Sequence, residues 1–532
     1  MFNSPIGATL RALGLPAAPL DAPRANAFNW RSPPVAAFVV TLAFVILRLL
    51  AAHYFGLGTD ESYSIAVARD LHLSYFDHPP MHYWMAHAVE PLFGVSRAGR
   101  LPFILLFGGS SWLMFVLTRR LFGERAGFWA TLALNLSGFF TVAAGSWILP
   151  DGPLIFAQLA AAAILARIWF AEEAHPDQAL LGWIAAGICI GLAGLSKYQA
   201  ALFGLGLGVF LITTAPGRLA LRRPGPYFAA AIAIAVLSPV ILWNADHGWA
   251  SFAFQAGRGA PKRLHPEGPL IALLGQMGVL LPWIFAPLVA AASSAVRAGP
   301  GDERRWLCLM LGLPAIIVFT LAPLIGAPAL PHWPMPGWLM LFPLLGAALA
   351  QAAETKSWPR TWAIASFLFV LCVGVAATND SATGWLGARY PKAFHRGDPT
   401  AETIEWTQLR GAVAQSTLLR QPGAFIAALK WNEAGKIDQA VGDLAPVAVL
   451  SSDPRQFGYR HPTSLLIGHD ALIVGRLDTV NARMGDLATY FRSLRPLPPI
   501  RVGRDGHGEI SIGLVEARGL IKPYPLPSDL AR

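Results

Sequence analysis

The chain has 532 residues, of which 54% are hydrophobic and only 14% are charged. Soluble proteins carry about 25% charged residues, so this composition excludes a soluble enzyme, a secreted module and a DNA-binding protein. Lys and Arg number 41 against 31 Asp and Glu, a net charge of +10. In so apolar a chain, this excess predicts cytoplasmic loops that follow the positive-inside rule, and no nucleic-acid partner. The three cysteines lie in apolar stretches and predict neither disulfides nor a metal finger.

The first 380 residues divide into apolar runs of about 17–25 residues, the length that crosses about 30 Å of hydrocarbon. We predict eleven membrane spans in an α-helical polytopic domain. The first run is too long for a signal peptide, so we expect it to be an anchor. The predicted spans are residues 33–55, 100–118, 126–145, 151–170, 180–196, 199–214, 227–243, 269–292, 306–326, 337–352 and 362–378.

Arginine and lysine concentrate in alternate loops, including residues 119–125, 218–223 and 297–305. The positive-inside rule therefore predicts a cytoplasmic N-terminus. An odd number of spans then places the tail of the chain on the outer side of the membrane.

The tail, residues 381–532, has a different composition. Charge density roughly doubles near residue 385, which indicates a domain boundary. Short β-type runs separated by Gly, Pro, Asp and Asn predict a small soluble α/β domain. These runs are residues 425–429, 447–451, 471–474 and 510–515.

Three acidic motifs lie in the loops predicted on the outer face. Asp60 and Glu61 follow the first span, Asp77 and His78 precede a diproline, and Asp151 opens the fourth span. Each has an ordinary structural explanation, as a helix cap or a rigid turn. Because all three lie at one face of the membrane, where ionisable groups are costly without a role, they also predict one shared cavity.

Basic residues occur near the same face. Lys197 lies between two apolar runs, and the loop over residues 243–269 carries Arg258, Lys262 and Arg263 among aromatic residues. A snorkelling lysine and a solvated loop are one interpretation. A binding site for an anionic lipid-linked group is the other.

The order of these motifs resembles the polyprenyl-phosphate-sugar-dependent transferases of the GT-C class. It resembles in particular glycosyltransferase family 39, which includes protein O-mannosyltransferases and lipid A aminoarabinose transferases. The resemblance covers roughly residues 35–345. It rests on Asp60-Glu61, Phe76-Asp77-His78-Pro79-Pro80, Asp151-Gly152-Pro153, residues 191–198, residues 243–258 and His332-Trp333-Pro334.

The resemblance implies that residues 1–380 form a GT-C-like catalytic domain in a bacterial inner membrane, with the site and residues 381–532 in the periplasm. A sugar passes, with inversion, from a polyprenyl-phosphate donor to lipid A, lipopolysaccharide or another glycolipid. Asp60 matches the base that takes the acceptor proton, Glu61 matches its supporting neighbour, and Asp151 matches a second acidic position.

For the donor phosphate, the resemblance and the charges favour Lys197 and Arg258, with Lys262 and Arg263 as further candidates. The aminoarabinose transferases tend to carry a lysine before the diproline, where this chain has His78. His78 is therefore a further phosphate-binding candidate that titrates near neutral pH.

Alternatives remain at three points. Asp77 and His247 could hold a divalent cation, since carboxylate and imidazole ligands suit zinc. The acceptor could be a protein Ser or Thr hydroxyl, as in the O-mannosyltransferases. The chain could also be a lipid-linked-sugar flippase or another transporter, although we find no internal repeat and the carboxylates cluster at one face.

Overall fold

The computed structural model describes residues 32–93, 97–170, 176–260, 263–394, 398–504 and 509–524. A helical bundle is followed by a smaller domain built on a β-sheet. The predicted fold class, a polytopic α-helical protein with a C-terminal α/β domain, is confirmed. The helices of the bundle, α1 to α18, are Pro33–Tyr54, Thr59–Ala68, Met81–Phe93, Leu101–Phe122, Glu124–Leu136, Gly138–Ser146, Asp151–Phe170, Pro176–Ser196, Ala200–Thr213, Ala215–Ala220, Gly225–Asp246, Ala250–Gly259, Gly268–Leu280, Pro282–Ala298, Glu303–Leu321, Met335–Leu339, Phe342–Thr355 and Trp358–Thr383.

The number of membrane-crossing helices is lower than predicted. In the described parts of the chain, eight helices are long and apolar enough to cross a membrane, or ten if each of two bent helix pairs counts as one span. Each predicted run falls on one of these helices, on a bent pair, or on α9. With 14 residues, α9 is shorter than a full span. Ten of the eleven predicted spans therefore have a counterpart long enough to cross a membrane. The odd number that places the N-terminus and the tail on opposite sides depends on α9 as the eleventh crossing.

The two bends have local causes that an apolar run does not reveal. Helices α5 and α6 meet at 76° and α13 and α14 at 113°. At the first bend, Arg48 of α1 donates to Asn135 Oδ1 at 3.0 Å and to the carbonyl of Thr141 at 3.1 Å, which satisfies polar groups near the break. At the second bend, Leu281 has a φ of 78° and is followed by proline, which ends the helix.

One end of the bundle collects the loops predicted to be cytoplasmic. Arg125 forms an ion pair with Glu354 at 3.5 Å, and Arg304 donates to the carbonyl of Leu121 at 3.2 Å. A cavity of about 1170 Å³ at this end is also lined by Arg119. The predicted grouping of the basic loops therefore agrees with the fold.

The C-terminal domain contains a five-stranded sheet of order β2-β1-β3-β5-β4. Strands β1, β2 and β3 are parallel, while β5 pairs antiparallel with β3 and β4. The four predicted runs are all strands, and the sequence analysis missed β4. Its prolines, Pro496, Pro498 and Pro499, argue against a central strand but are tolerated at the sheet edge. Strands β1 to β5 are Phe425–Ala428, Val447–Val449, Ala471–Arg476, Phe491–Val502 and Ile510–Leu520, and helices α19 to α23 are Trp385–Arg389, Leu409–Ala414, Trp431–Val441, Phe457–Arg460 and Leu477–Leu487.

This domain packs through α21 onto α2, at the end of the bundle opposite the basic loops. A Cβ atom on Gly435 would lie 2.5 Å from the backbone nitrogen of Tyr63, so only glycine permits this approach. Lys436, 4% exposed, donates to the carbonyl of Leu57, and burial lowers its pKa to about 8. Arg69 pairs with Asp438 at 2.7 Å. The domain therefore covers the loops that carry the acidic motifs.

These two opposite ends generate a topology prediction. A reporter enzyme that is active only outside the cytoplasm should be active when fused after Arg532 and inactive when fused after Thr355, since the Lys/Arg asymmetry places these positions on opposite sides. Reporter activity in intact cells is the measurement. The reverse pattern would overturn the assigned orientation.

Candidate active site

The first acidic motif separates into one bound and one free carboxylate. Glu61, 1% exposed, accepts from Arg100 Nε at 2.7 Å and Nη2 at 2.5 Å. It also accepts from the backbone N–H of Gly58 at 2.9 Å and of Ile148 at 3.2 Å. Glu61 therefore fixes the start of α2 through a buried ion pair and two backbone contacts.

Asp60, the neighbour of Glu61, makes no hydrogen bond or ion pair with any residue that the structure describes. The Asp60 side chain is exposed, but the surrounding protein reduces its solvation. This loss of solvation, and then the negative charge of Glu402, raise the pKa of Asp60 above that of an ordinary aspartate. Asp77 raises it further, and the positive charge of Arg455 opposes the shift. A free carboxylate with a raised pKa is suited to accept a proton.

The carboxylate of Asp77 is bound by side chains from both domains. Its Oδ1 accepts from the hydroxyls of Tyr63 at 3.0 Å and Tyr83 at 3.2 Å, and its Oδ2 accepts from Arg455 Nη1 at 3.3 Å. Gln255 donates to its backbone carbonyl at 2.6 Å. Asp77 thus joins α2, α3, α12 and the C-terminal domain.

The contacts of Asp77 and His247 give no support to a metal site. His247 Nδ1 lies 2.8 Å from the carbonyl of Trp243, and its ring stacks on the indole at 4.1 Å. In the ranges described, no three His, Cys, Asp or Glu side chains are grouped to hold a metal ion. Metal binding by Asp77 and His247 stays a prediction.

The second acidic position and the predicted lysine form one buried ion pair. Lys197 Nζ donates to the two carboxylate oxygens of Asp151 at 2.9 and 3.1 Å, and the residues are 5% and 4% exposed. Asp151 is the first residue of α7, and Lys197 directly follows α8. The pair therefore connects two helices and leaves neither charge uncompensated.

Two histidines next to this pair carry no charge at neutral pH. Burial, and then the charge of Lys197, lower the pKa of His78 to about 3 and that of His332 to about 4. The Nδ1 atom of His78 is buried and has no hydrogen-bond partner in the described chain. His78 therefore offers a neutral polar atom rather than the fixed charge of a lysine.

Arg258 is the predicted phosphate ligand with the fewest partners. Its guanidinium lies over the rings of Trp333 at 4.7 Å and Phe254 at 5.7 Å, and it makes no hydrogen bond or ion pair with another described residue. Arg263 is exposed and also lacks such contacts. Lys262 lies outside the described residues. Arg258 is thus a cation held by aromatic rings and open to an anion.

The sequence analysis missed the residues that the C-terminal domain contributes. Arg455 contacts Asp77, and Gln456 accepts from the backbone N–H of Phe76 at 2.8 Å and donates its own to Tyr63 at 3.1 Å. They follow β2, and loops after the carboxyl ends of parallel strands are common sites for functional residues. That position is the signal that could have identified them.

An apolar cavity of about 740 Å³ lies between α1, α6 and α18, below the acidic motifs. Its walls are formed mainly by aliphatic and aromatic side chains, including Phe44 and Phe367. Arg100, the partner of Glu61, and Trp147 line it as well. The acidic motifs therefore lie close to a space with the character of the bilayer interior.

Residues 77–243 match the family model described as dolichyl-phosphate-mannose-protein mannosyltransferase. The chain is similar to the lipid A galacturonosyltransferase RgtD of Rhizobium johnstonii, with 24% identity over 345 residues that cover 62% of this chain and 67% of that protein.

Solved structures show the same fold. ArnT from Cupriavidus metallidurans bound to undecaprenyl phosphate aligns with a TM-score of 0.63 and 17% identity, over 90% of this chain and 97% of ArnT. The apo oligosaccharyltransferase of Archaeoglobus fulgidus aligns with a TM-score of 0.52 and 11% identity, over 86% and 71%. These likenesses define a GT-C fold. Together with the sequence matches, they confirm the predicted resemblance to GT-C class glycosyltransferases.

The buried Glu61–Arg100 pair generates a stability prediction. Arg100→Met should destabilise the protein by about 3–5 kcal/mol, because it leaves Glu61 buried without its partner. Arg125→Met, which breaks the exposed pair with Glu354, is the matched control and should cost less than about 1 kcal/mol. Thermal unfolding of the detergent-solubilised protein measures both. Equal changes in the two variants would contradict the assigned role of Glu61.

Proposed function

We propose that this glycosyltransferase moves a sugar from a polyprenyl-phosphate donor to lipid A or a related lipopolysaccharide glycolipid. The observation that carries the proposal is the position of Asp60, a free carboxylate within electrostatic range of Arg455 and Asp77, the same two residues that act on the predicted phosphate ligand Arg258. The printed name of RgtD supports the acceptor, and the undecaprenyl phosphate in ArnT supports the donor.

In the proposed reaction, the acceptor hydroxyl attacks the anomeric carbon of the donor sugar. Asp60 takes the hydroxyl proton as the new C–O bond forms with inversion. The bond between the anomeric carbon and the phosphate oxygen breaks, and its electron pair leaves with the lipid phosphate. Arg258 stabilises the negative charge that develops on that phosphate.

The Asp151–Lys197 pair has a different place in this proposal. Its two charges compensate each other, so Asp151 is a weaker candidate base than Asp60. A phosphate that approached Lys197 would share the ammonium group with Asp151, as lysine has three N–H donors. We assign the pair to the sugar and phosphate side of the site, with the neutral His78 beside it.

The compartment belongs to the same proposal. We place the protein in the bacterial inner membrane, with the N-terminus in the cytoplasm and the site and C-terminal domain in the periplasm. The opposite ends occupied by the basic loops and the C-terminal domain support this arrangement.

Incubation of the purified protein with polyprenyl-phosphate sugars and a panel of acceptors tests the proposed function. A hexuronic acid, a pentose and a hexose donor should be compared, with lipid A and a Ser/Thr peptide as acceptors, and products identified by mass spectrometry. Transfer to lipid A is expected. Transfer to the peptide alone would indicate a protein O-glycosyltransferase, and donor translocation without transfer would indicate a flippase.

The assigned base generates a prediction for turnover. Asp60→Asn keeps the size of the side chain but removes the basic carboxylate, so turnover should fall by about 10²-fold or more while the unfolding midpoint is unchanged. The steady-state rate with saturating donor is the measurement. A turnover close to that of the wild type would show that Asp60 is not the base. The alternative role as a helix cap is not supported, since the N-cap of α2 is Gly58.

The cause of the raised pKa of Asp60 generates a pH prediction. Activity should be low where Asp60 is protonated and should rise with pH through its raised pKa. Glu402 is exposed and contributes to the shift. Glu402→Gln should therefore lower the pKa and move this acid limb to lower pH. The pH profile of kcat/KM is the measurement, and an acid limb unaffected by Glu402→Gln would contradict the assignment.

A further inference from the structure

The C-terminal domain places one guanidinium inside the site of the bundle. The side chain of Arg455 is 15% exposed. Its Nη1 donates to Asp77 Oδ2 at 3.3 Å and its Nε to Asp453 Oδ1 at 3.1 Å. Its Nη2 makes no hydrogen bond to any residue in the described ranges. Arg455 is therefore held at two nitrogens and has donors left for a ligand.

Arg455 and Arg258 come from different domains and lie against the same aromatic ring. Their guanidinium carbons are 4.9 and 5.7 Å from the centroid of Phe254. Arg455 also lies over Trp431 at 4.3 Å, and Arg258 over Trp333 at 4.7 Å. The rings fix two like charges near each other, an arrangement that an oxyanion would stabilise.

The electrostatics agree with this geometry. Burial lowers the pKa of Arg258, and the charge of Arg455 lowers it further. Asp77, the carboxylate that contacts Arg455, already accepts from two tyrosine hydroxyls. The second carboxylate that contacts Arg455, Asp453, is half exposed. Neither carboxylate forms an ion pair with Arg258, so of these two arginines Arg258 is the one whose charge is left for an anion.

The backbone at Arg455 is also unusual. Its φ is 52°, in the left-handed region that non-glycine residues rarely adopt. Such strain persists where the surroundings hold the residue in place, and it is common at binding sites. Here the Asp77 contact and the two rings fix the side chain.

We propose that Arg455 and Arg258 form a two-guanidinium site that binds an oxyanion of the glycosyl donor. The inference rests on the proposed function and adds a donor-contacting residue from the C-terminal domain. Two donor groups have the required chemistry: the lipid phosphate and, on a hexuronic acid donor, the sugar carboxylate. Arginine matches either group through paired N–H donors.

The test compares Arg455→Ala, Arg455→Lys and the matched control Arg460→Ala. Arg460 belongs to the same segment and joins the domains by an ion pair with Asp70 at 2.5 Å, and it also pairs with Asp438 of its own domain at 2.9 Å. Three quantities are measured for each variant: the affinity for undecaprenyl phosphate alone, KM for a hexuronic acid donor and KM for a neutral hexose donor. The unfolding midpoint of each variant monitors domain docking.

A phosphate contact predicts that Arg455→Ala weakens undecaprenyl phosphate binding at least tenfold and raises KM for both donors. A carboxylate contact predicts a KM increase of that size for the hexuronic acid donor alone. In either case Arg455→Lys should recover part of the lost affinity, because lysine restores the positive charge but not the paired N–H donors of the guanidinium. Arg460→Ala should bind the donor like the wild type.

Unchanged affinity and unchanged KM values in Arg455→Ala would overturn the two-arginine site. Equal losses in Arg455→Ala and Arg460→Ala would also overturn it, since both would then reflect domain docking. Should Arg455→Ala fail to fold, wild-type values in all three measurements for Arg455→Gln would overturn the site. A wild-type protein that neither binds undecaprenyl phosphate nor transfers sugar from either donor would instead overturn the proposed function.

Discussion

The buried ion pair between Glu61 and Arg100 determines the geometry of the site. Arg100 also donates to the carbonyls of Phe55 at 2.9 Å and Gly56 at 2.8 Å, at the end of α1. Glu61 accepts from the loop before α7 through Ile148. Neither charge is tolerated in so buried a position without the other. Because the pair fixes the first turn of α2, it also fixes Asp60 one residue earlier, with its carboxylate left free.

The acidic residues of the site therefore have separate roles that follow from their partners. Glu61 is bound by Arg100, Asp77 by two tyrosines and Arg455, and Asp151 by Lys197. A carboxylate that accepts several hydrogen bonds is stabilised as an anion and is a poor proton acceptor. Asp60 is exposed and has no hydrogen-bond or ion-pair partner among the described residues, and its pKa is raised because the surrounding protein reduces its solvation. Asp60 is thus the carboxylate of this group that is left open to accept a proton.

Much of this arrangement could be predicted from the sequence. Apolar runs located the helices, and the predicted position of Asp151 and Lys197 at one face agrees with the ion pair that joins them. That Asp60 shares one cavity with this pair stays a prediction. Hydropathy does not encode a bend, so the breaks at residues 137 and 281 were missed. Composition also does not show which loop of the tail reaches the bundle. Arg455 lies more than 370 residues from Asp77 in sequence, and only the packing of α21 on α2 brings the two together.

The distribution of partners also explains why the C-terminal domain matters for the chemistry. In the described part of the bundle, Lys197 is neutralised by Asp151 and the adjacent histidines are neutral, whereas Arg258 is held by aromatic rings without an ion-pair partner. A leaving lipid phosphate carries more than one negative charge. A single guanidinium, weakened by distance and by the surrounding solvent, would stabilise only part of that charge. Docking of the sheet domain places Arg455 beside Asp77 and Gln456 against the backbone of Phe76. In the proposed reaction this second guanidinium would share the negative charge that develops on the leaving phosphate. Because the side chain of Arg455 is only 15% exposed, that charge interaction would be stronger than at an open surface.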